Sequence, residues 1–299
     1  MRTLSLLMLA LALDVPMGAR AQVVSPTTPA AVIADPAPDP KSPARLEVIH
    51  VPSGGVNING IVMVASGAGP HPTVVLFHGL PGNEKNLDLA QAIRRAGWNV
   101  VAINYRGSWG SPGVYSFGQD LQDADATLAF VRDPANAKAF NIDPQRLVVI
   151  GHSLGGWVTA HTLAHDAGLL GGITISAGDL GKAGIGAKFN RAQIAAFMDD
   201  SRESLAGVTG ASMADELAAH AEAWGFGPLG AKLANRRLLV LYSHDFVQSD
   251  SEALIKSIKA AGGASLQSYY ADTDHSWSGR RIELESVVIN WLQSLPGVK

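Results

Sequence analysis

Cysteine is absent from the 299 residues. That excludes disulfides, thiolate metal sites, a cysteine nucleophile and a cysteine-linked lipid anchor, so any nucleophile must be an oxygen or nitrogen group. Beyond the amino terminus no apolar run approaches the ~20 residues that span a bilayer, and no stable membrane anchor is expected. An excess of one charge sign is lacking too. Lys and Arg number 23 against 26 Asp and Glu, for a formal net charge of −3. Without a basic stripe or polybasic segment, nucleic acid and anionic membrane surfaces are not expected partners. There is no internal repeat.

What is present suffices for one well-buried core: 47% of the residues are hydrophobic, and α/β chains of this length commonly stay undivided. Residues 1–21 show Arg2, an apolar run from Leu4 to Leu13, and Ala19-Arg20-Ala21 as a small-x-small site. This pattern predicts a signal peptide cut after Ala21, and so a secreted or periplasmic protein. Residues 22–44 are rich in Pro, Ala, Thr and Asp; such a composition buries too little apolar area to offset its ordering entropy and reads as a flexible linker. Residues 45–299 are then the folded domain.

From Ala44 on, short β-rich runs alternate with amphipathic segments, the pattern of a mostly parallel sheet with helices on both faces. Leu46–Val51 and Val56–Ala65 predict an antiparallel hairpin. Buried-type strands follow at Thr73–Phe77, Asn99–Asn104, Arg146–Ile150, Gly172–Ser176, Leu238–Ser243 and Leu266–Ala271, about eight in all. Helices are predicted near Leu87–Ala96, Asp120–Arg132, Gly155–Ala167, Ser251–Ala261 and Ile282–Leu295. Residues 178–236 break the rhythm with Ala, Gly and short helical patterns, and predict a small helical cap inserted before the last two strands. Trp224, Phe226 and Phe189 are candidates either to line the substrate entrance beneath it or to pack in the core.

The chemistry centres on Gly151-His152-Ser153-Leu154-Gly155, a G-x-S-x-G pattern. The pattern alone is weak; its place between RLVVI and WVTAHTLAHDA, a strand and a helix, makes it a sharp turn that exposes the serine hydroxyl. Ser153 is therefore the candidate nucleophile, and its hydroxyl requires a base and a group to orient that base. Of nine histidines, His244 and His275 lie beyond the cap region. His275, in YADTDHSWSG after the last strand, is the candidate base. Asp245, directly after LLVLYSH, is the candidate acid. Asp250 remains the alternative, although its position suits a helix cap, and Asp272 and Asp274 suit turn hydrogen bonds.

An oxyanion formed on attack needs preorganised donors. The amide of Leu154 is one. The other should come from His78-Gly79-Leu80-Pro81-Gly82 after strand Thr73–Phe77; Pro81 has no N–H, which leaves Leu80. His161 and His165 share a helix face at i,i+4 spacing, but without a third ligand they read as packed or surface histidines. No metal and no cofactor is implied.

With these residues in place the chain resembles the α/β-hydrolase superfamily over residues 46–295. NYRGSWGSPG and YADTDHSWSG look like the dipeptidyl-peptidase and acylaminoacyl-peptidase branch with its prolyl-oligopeptidase-type catalytic domain, while GHSLGG is similar to the elbow of lipases and esterases. The resemblance implies a Ser153–His275–Asp245 triad with Leu80 and Leu154 as oxyanion donors. It does not settle the acyl group; the expected activity is that of a serine esterase acting on small or medium acyl groups, with a small-molecule ester or short peptide as the partner. An amidase or peptidase is the alternative among enzymes, and a binding protein on the same scaffold the alternative outside them.

Overall fold

The computed structural model describes residues 27–297; the expected signal peptide lies outside them. In chain order the elements are α1 (Ala30–Ile33), β1 (Arg45–Ser53), β2 (Val56–Val64), β3 (His71–Phe77), α2 (Leu87–Arg95), β4 (Asn99–Ile103), α3 (Phe117–Arg132), α4 (Pro134–Ala139), β5 (Ile142–His152), α5 (Leu154–His165) and β6 (Gly171–Ile175). After β6 come α6 (Leu180–Phe189), α7 (Arg191–Asp199), α8 (Gly210–His220) and α9 (Leu229–Leu233). The chain ends with β7 (Leu238–Ser243), α10 (Gln248–Ala260), β8 (Leu266–Ala271) and α11 (Arg281–Gln293).

The eight strands form one sheet in the order β1-β2-β4-β3-β5-β6-β7-β8. β2 runs against both its neighbours, and the remaining pairings are parallel. Every residue of β3 is buried, because a parallel strand with helices on both faces has no solvated side and reads as a continuous apolar run. One face packs Leu89, Ile93, Leu284, Val288 and Leu292 of α2 and α11 against Leu76, Val100, Ile150 and Leu241. The other packs Leu128 of α3, Trp157 and Leu163 of α5, and Leu254 and Ile258 of α10 against Val75, Val149 and Val240.

The sheet is the one expected: eight-stranded and mostly parallel. Helices α6 to α9 occupy the segment anticipated as a cap. Trp224 and Phe226 do not line an entrance there; both are buried, with Trp224 edge-on to Trp157 at 5.4 Å between ring centroids. Phe189 is exposed.

The stretch expected to be a flexible linker is held against the domain from Thr27 onward. Arg95 Nε donates to Ala31 O at 2.6 Å, Asn290 Nδ2 to Thr27 O at 2.9 Å, and Gly67 N to Ser42 O at 2.9 Å. Its own composition offers little to bury, so it is ordered by distant side chains that take up its carbonyls.

Candidate active site

β5 delivers Ser153 to the carboxyl end of the sheet, between β3 and β6. The turn is tight: Ser153 has φ 57° and ψ −118°, a conformation that costs a non-glycine residue about 1–3 kcal/mol. The surroundings hold it there. Ser153 N–H donates to Ile175 O at 2.9 Å, tying the elbow to β6. A Cβ on Gly151 would stand 1.9 Å from Gly155 O, and one on Gly155 would stand 2.2 Å from Phe77 O. Only glycine allows the strand, the turn and the start of α5 to approach so closely.

The candidate base and acid are joined. Asp245 sits two residues past the end of β7 and His275 four past the end of β8; His275 Nδ1 lies 2.9 Å from Asp245 Oδ2. A carboxylate accepts and does not donate, so Nδ1 carries the proton and Nε2 keeps a free lone pair, the tautomer a general base requires. The Asp245 side chain is 3% exposed. Burial alone would raise its carboxyl, but His275 and the nearby hydroxyls of Ser176 and Ser243 outweigh it and hold the group below the usual range.

Those two serines belong to a relay. Ser243 Oγ donates to Asp245 Oδ2 at 2.8 Å, Ser176 Oγ lies 2.9 Å from Ser243 Oγ, and Trp277 Nε1 donates to Ser176 Oγ at 3.2 Å. Ser243 has one hydroxyl proton and gives it to the carboxylate, so Ser176 donates to Ser243. Val247 N–H donates to the other carboxylate oxygen at 3.0 Å.

The elbow meets the histidine loop through its neighbour: His152 Nε2 lies 2.9 Å from the His275 carbonyl, with the two rings 4.7 Å apart. Ser153 Oγ itself has no hydrogen-bond partner among the described residues. Such contacts are commonly long without substrate and shorten in the reacting complex.

The loop after β3 lies against the elbow, where a Cβ on Gly79 would come 3.0 Å from that of Ser153. The amides of Leu80 and Leu154 have no partner among the described residues. Three side chains brace the loop. His78 Nδ1 donates to Gly79 O at 2.8 Å, the other end of the peptide whose N–H belongs to Leu80. Trp109 Nε1 and Ser204 Oγ both donate to Pro81 O, at 2.6 and 3.0 Å. Burial holds the His78 imidazole down to about 4, which keeps it neutral.

Asp250, the alternative acid, does not face the imidazole. It accepts from Lys182 Nζ and, at 3.1 Å, from Asp179 N, anchoring α6 of the cap; nor does it cap α10, which starts at Gln248. Asp274 accepts from Ser278 N at 2.7 Å in its turn, and His244 is exposed, 3.6 Å from Asp272. His161 Nε2 donates to Trp224 O at 3.3 Å and His165 Nε2 lies 2.8 Å from Asp125, so the two rings do not converge.

Sequence reading did not single out Ser176, Ser243, Trp277, His152, Trp109, Ser204 or Phe246. The serines left a trace, since Ser243 ends the run LLVLYS of β7 and Ser176 directly follows β6. Phe246 follows Asp245, is 70% exposed and lies 4.6 Å from the His275 ring. A large exposed apolar ring beside a base is a signal that only the fold reveals.

The fold agrees with those of known proteins. A structure of an esterase from Pyrococcus furiosus superposes with a TM-score of 0.63 at 17% identity, covering 85% of this chain and 92% of that one. An acylaminoacyl peptidase bound to a Z-Gly-Gly-Phe chloromethyl ketone gives 0.65 at 16% identity, covering 84% of this chain and 42% of that one. In sequence, the acylamino-acid-releasing enzyme 1 of Oryza sativa subsp. japonica is 30% identical over 107 residues, 32% of this chain and 13% of the enzyme. An uncharacterised Mycobacterium tuberculosis protein is 29% identical over 128 residues, 42% of this chain and 44% of that protein. The chain therefore spans less than half the length of these curated relatives. The model of the alpha/beta hydrolase family matches residues 74–284, well over half of the sequence, and the chain belongs to that family.

Proposed function

We propose that this chain is a serine hydrolase that cleaves carboxylic esters of small or medium acyl groups through an acyl-enzyme. The observation that carries the reading is the Asp245–His275 hydrogen bond, made beside an elbow that holds Ser153 at positive φ. In the first step Ser153 Oγ attacks the ester carbonyl carbon while His275 Nε2 takes its proton. Asp245 stabilises the imidazolium, and the amides of Leu80 and Leu154 receive the oxyanion. The imidazolium then protonates the departing alcohol. Water, deprotonated by His275, then attacks the acyl-enzyme carbonyl; the bond from the acyl carbon to Ser153 Oγ breaks, the imidazolium returns its proton to Oγ, and the acid leaves. Burial of the relay behind Asp245 supports this reading, because it fixes the ring orientation that both steps need.

Ser153→Ala is expected to abolish hydrolysis of short-chain nitrophenyl esters and labelling by a fluorophosphonate probe, with an unchanged thermal unfolding curve. Turnover retained in that variant overturns the reading.

Likeness to acylaminoacyl peptidases supports a second reading, an amidase or peptidase acting on acylated amino acids or short peptides. The triad is the same for both; leaving-group contacts decide. Rates on matched nitrophenyl esters and aminoacyl nitroanilides separate them, and the ester preference proposed here requires a higher kcat/KM on the esters. The amino-terminal pattern of residues 1–21 supports export of the enzyme, with a mature chain starting at Gln22.

A further inference from the structure

His152 precedes the proposed nucleophile and is given no part in the chemistry above, yet it touches both halves of the machinery. The residue is 4% exposed. Its Nε2 lies 2.9 Å from the carbonyl of His275; a carbonyl only accepts, so Nε2 bears the proton. Its Nδ1 is buried and has no partner among the described residues. That edge of the ring lies against the oxyanion loop, 3.4 Å from where a Cβ on Gly79 would stand.

We infer that His152 is a positioning residue for the hydrolysis, whose Nε2–H holds the main chain of His275 so that the base stays over Ser153 while the oxyanion loop packs on the ring's other edge. The inference rests on the reading of Ser153 and His275 as nucleophile and base.

The histidine loop is fixed at three successive residues. His152 takes the carbonyl of His275, Arg281 Nη1 takes that of Ser276 at 2.9 Å, and the Trp277 indole is held by Ser176. Of these holders only His152 is part of the nucleophile's own elbow. It alone makes the distance between attacking oxygen and base a matter of one short covalent path and one hydrogen bond. Imidazole also suits the place electrically. Rings 4.7 Å apart would repel if both were charged, and His275 must become cationic during acylation. Burial, with His275 and Arg281 nearby, holds His152 down to about 4, against the hydrogen bond to the His275 carbonyl and the charge of Asp245. It thus remains a neutral donor while His275 gains and loses its proton.

The test compares His152→Phe, which keeps a ring but loses the donor, with His152→Gln, whose amide nitrogen sits at a similar reach. Using the full chain and a short-chain nitrophenyl ester, the Phe variant is expected to lose kcat by about 10- to 100-fold with KM little changed. The Gln variant should recover most of that loss. Equal activity of the Phe variant and the wild type, or equal impairment of both variants, overturns the role. A second measurement uses wild-type protein with 15N-labelled histidine: the His152 ring should show the neutral Nε2–H tautomer across about pH 5 to 8. An Nδ1–H tautomer overturns the inference even where a variant fails to fold. Ester turnover retained by Ser153→Ala would instead overturn the hydrolase reading on which it rests.

Discussion

Ser243 stands two residues before Asp245 and donates its hydroxyl at 2.8 Å to the same carboxylate oxygen that accepts the hydrogen bond from His275 Nδ1. Oδ2 is therefore shared between strand β7 and the histidine loop, while Oδ1 is taken by Val247 N–H. With both oxygens engaged, the carboxylate cannot turn away from the imidazole without breaking bonds on either side. Asp245→Asn keeps the shape but presents an amide in place of an acceptor-only group, favouring the wrong imidazole tautomer. We expect kcat on nitrophenyl esters to fall by about 10³- to 10⁴-fold with little change in KM. A loss below tenfold would remove Asp245 from the mechanism.

The elbow makes a sharper structural demand. A Cβ at position 155 would meet Phe77 O at 2.2 Å and His78 O at 2.8 Å, both of them main chain. Main chain at the end of a central strand yields less readily than a side chain. Gly155→Ala should cost about 1–3 kcal/mol of stability and should also depress kcat, because the displaced atoms lead into the loop that carries Leu80. Urea unfolding and ester kinetics on the same preparation check both.

Trp109 and Ser204 converge on the carbonyl of Pro81 from opposite sides of the cap boundary. Trp109→Phe removes one of these donors while keeping an aromatic ring. The expected result is a decrease in kcat of about tenfold from a loosened Leu80 amide. KM and the unfolding midpoint should move little. Combining it with Ser204→Ala should give a loss larger than the product of the single effects, since each donor partly covers for the other; strict additivity would show that the loop is held elsewhere.

Asp120 offers a test through pH. It is fully buried in α3, accepts from Tyr115 Oη at 2.8 Å through Oδ2, and leaves Oδ1 without a partner among the described residues. Burial, together with Asp123 and Glu216, pushes its carboxyl well above the usual range in spite of Tyr115 and Arg106. A raised carboxyl means that the folded state holds a proton the unfolded state has released. Its contribution is complete at acid pH and is lost as pH rises from the ordinary carboxyl value of ~3.9 towards the folded one. Asp120→Asn cannot ionise and escapes this loss. The stability of the variant relative to wild type should therefore climb with pH, by up to about 1.4 kcal/mol per pH unit through that window. A difference that is flat between pH 4 and 7, across the window that opens near ~3.9, would contradict the assignment.

The sheet and the three candidate residues were legible in the sequence because their signals are local. Apolar runs such as TVVLF and RLVVI mark buried strands, and a serine between glycines after one of them marks the elbow. What escaped is set by distant partners. α3 begins at Phe117 rather than Asp120 because Glu216 of the cap accepts from Phe117 N and Gly118 N at 3.2 and 3.0 Å. α10 begins three residues early, beside a turn that Asp245 closes on Val247. α4 is six residues long and was missed although Asp133 caps it and Pro134 opens it, a signal present in the sequence. At the site, Ser176 and Ser243 lie 67 residues apart and meet through the pairing of β6 with β7. No window along the chain contains that contact.

The strand-like pairing of Leu205 with Ser108, continued by Ala206 N–H to Gly107 O at 2.7 Å and by Tyr115 N–H to Ala206 O at 3.0 Å, has a further consequence. It stitches the inserted helices to the same loop that braces Pro81, so the insertion is not a detachable module. Exchanging residues 178–236 for the equivalent piece of another hydrolase would also exchange a wall of the candidate site. A transplanted piece must bring its own hydroxyl to Pro81 and its own backbone partner for Gly107, or the recipient will lose turnover on every substrate alike.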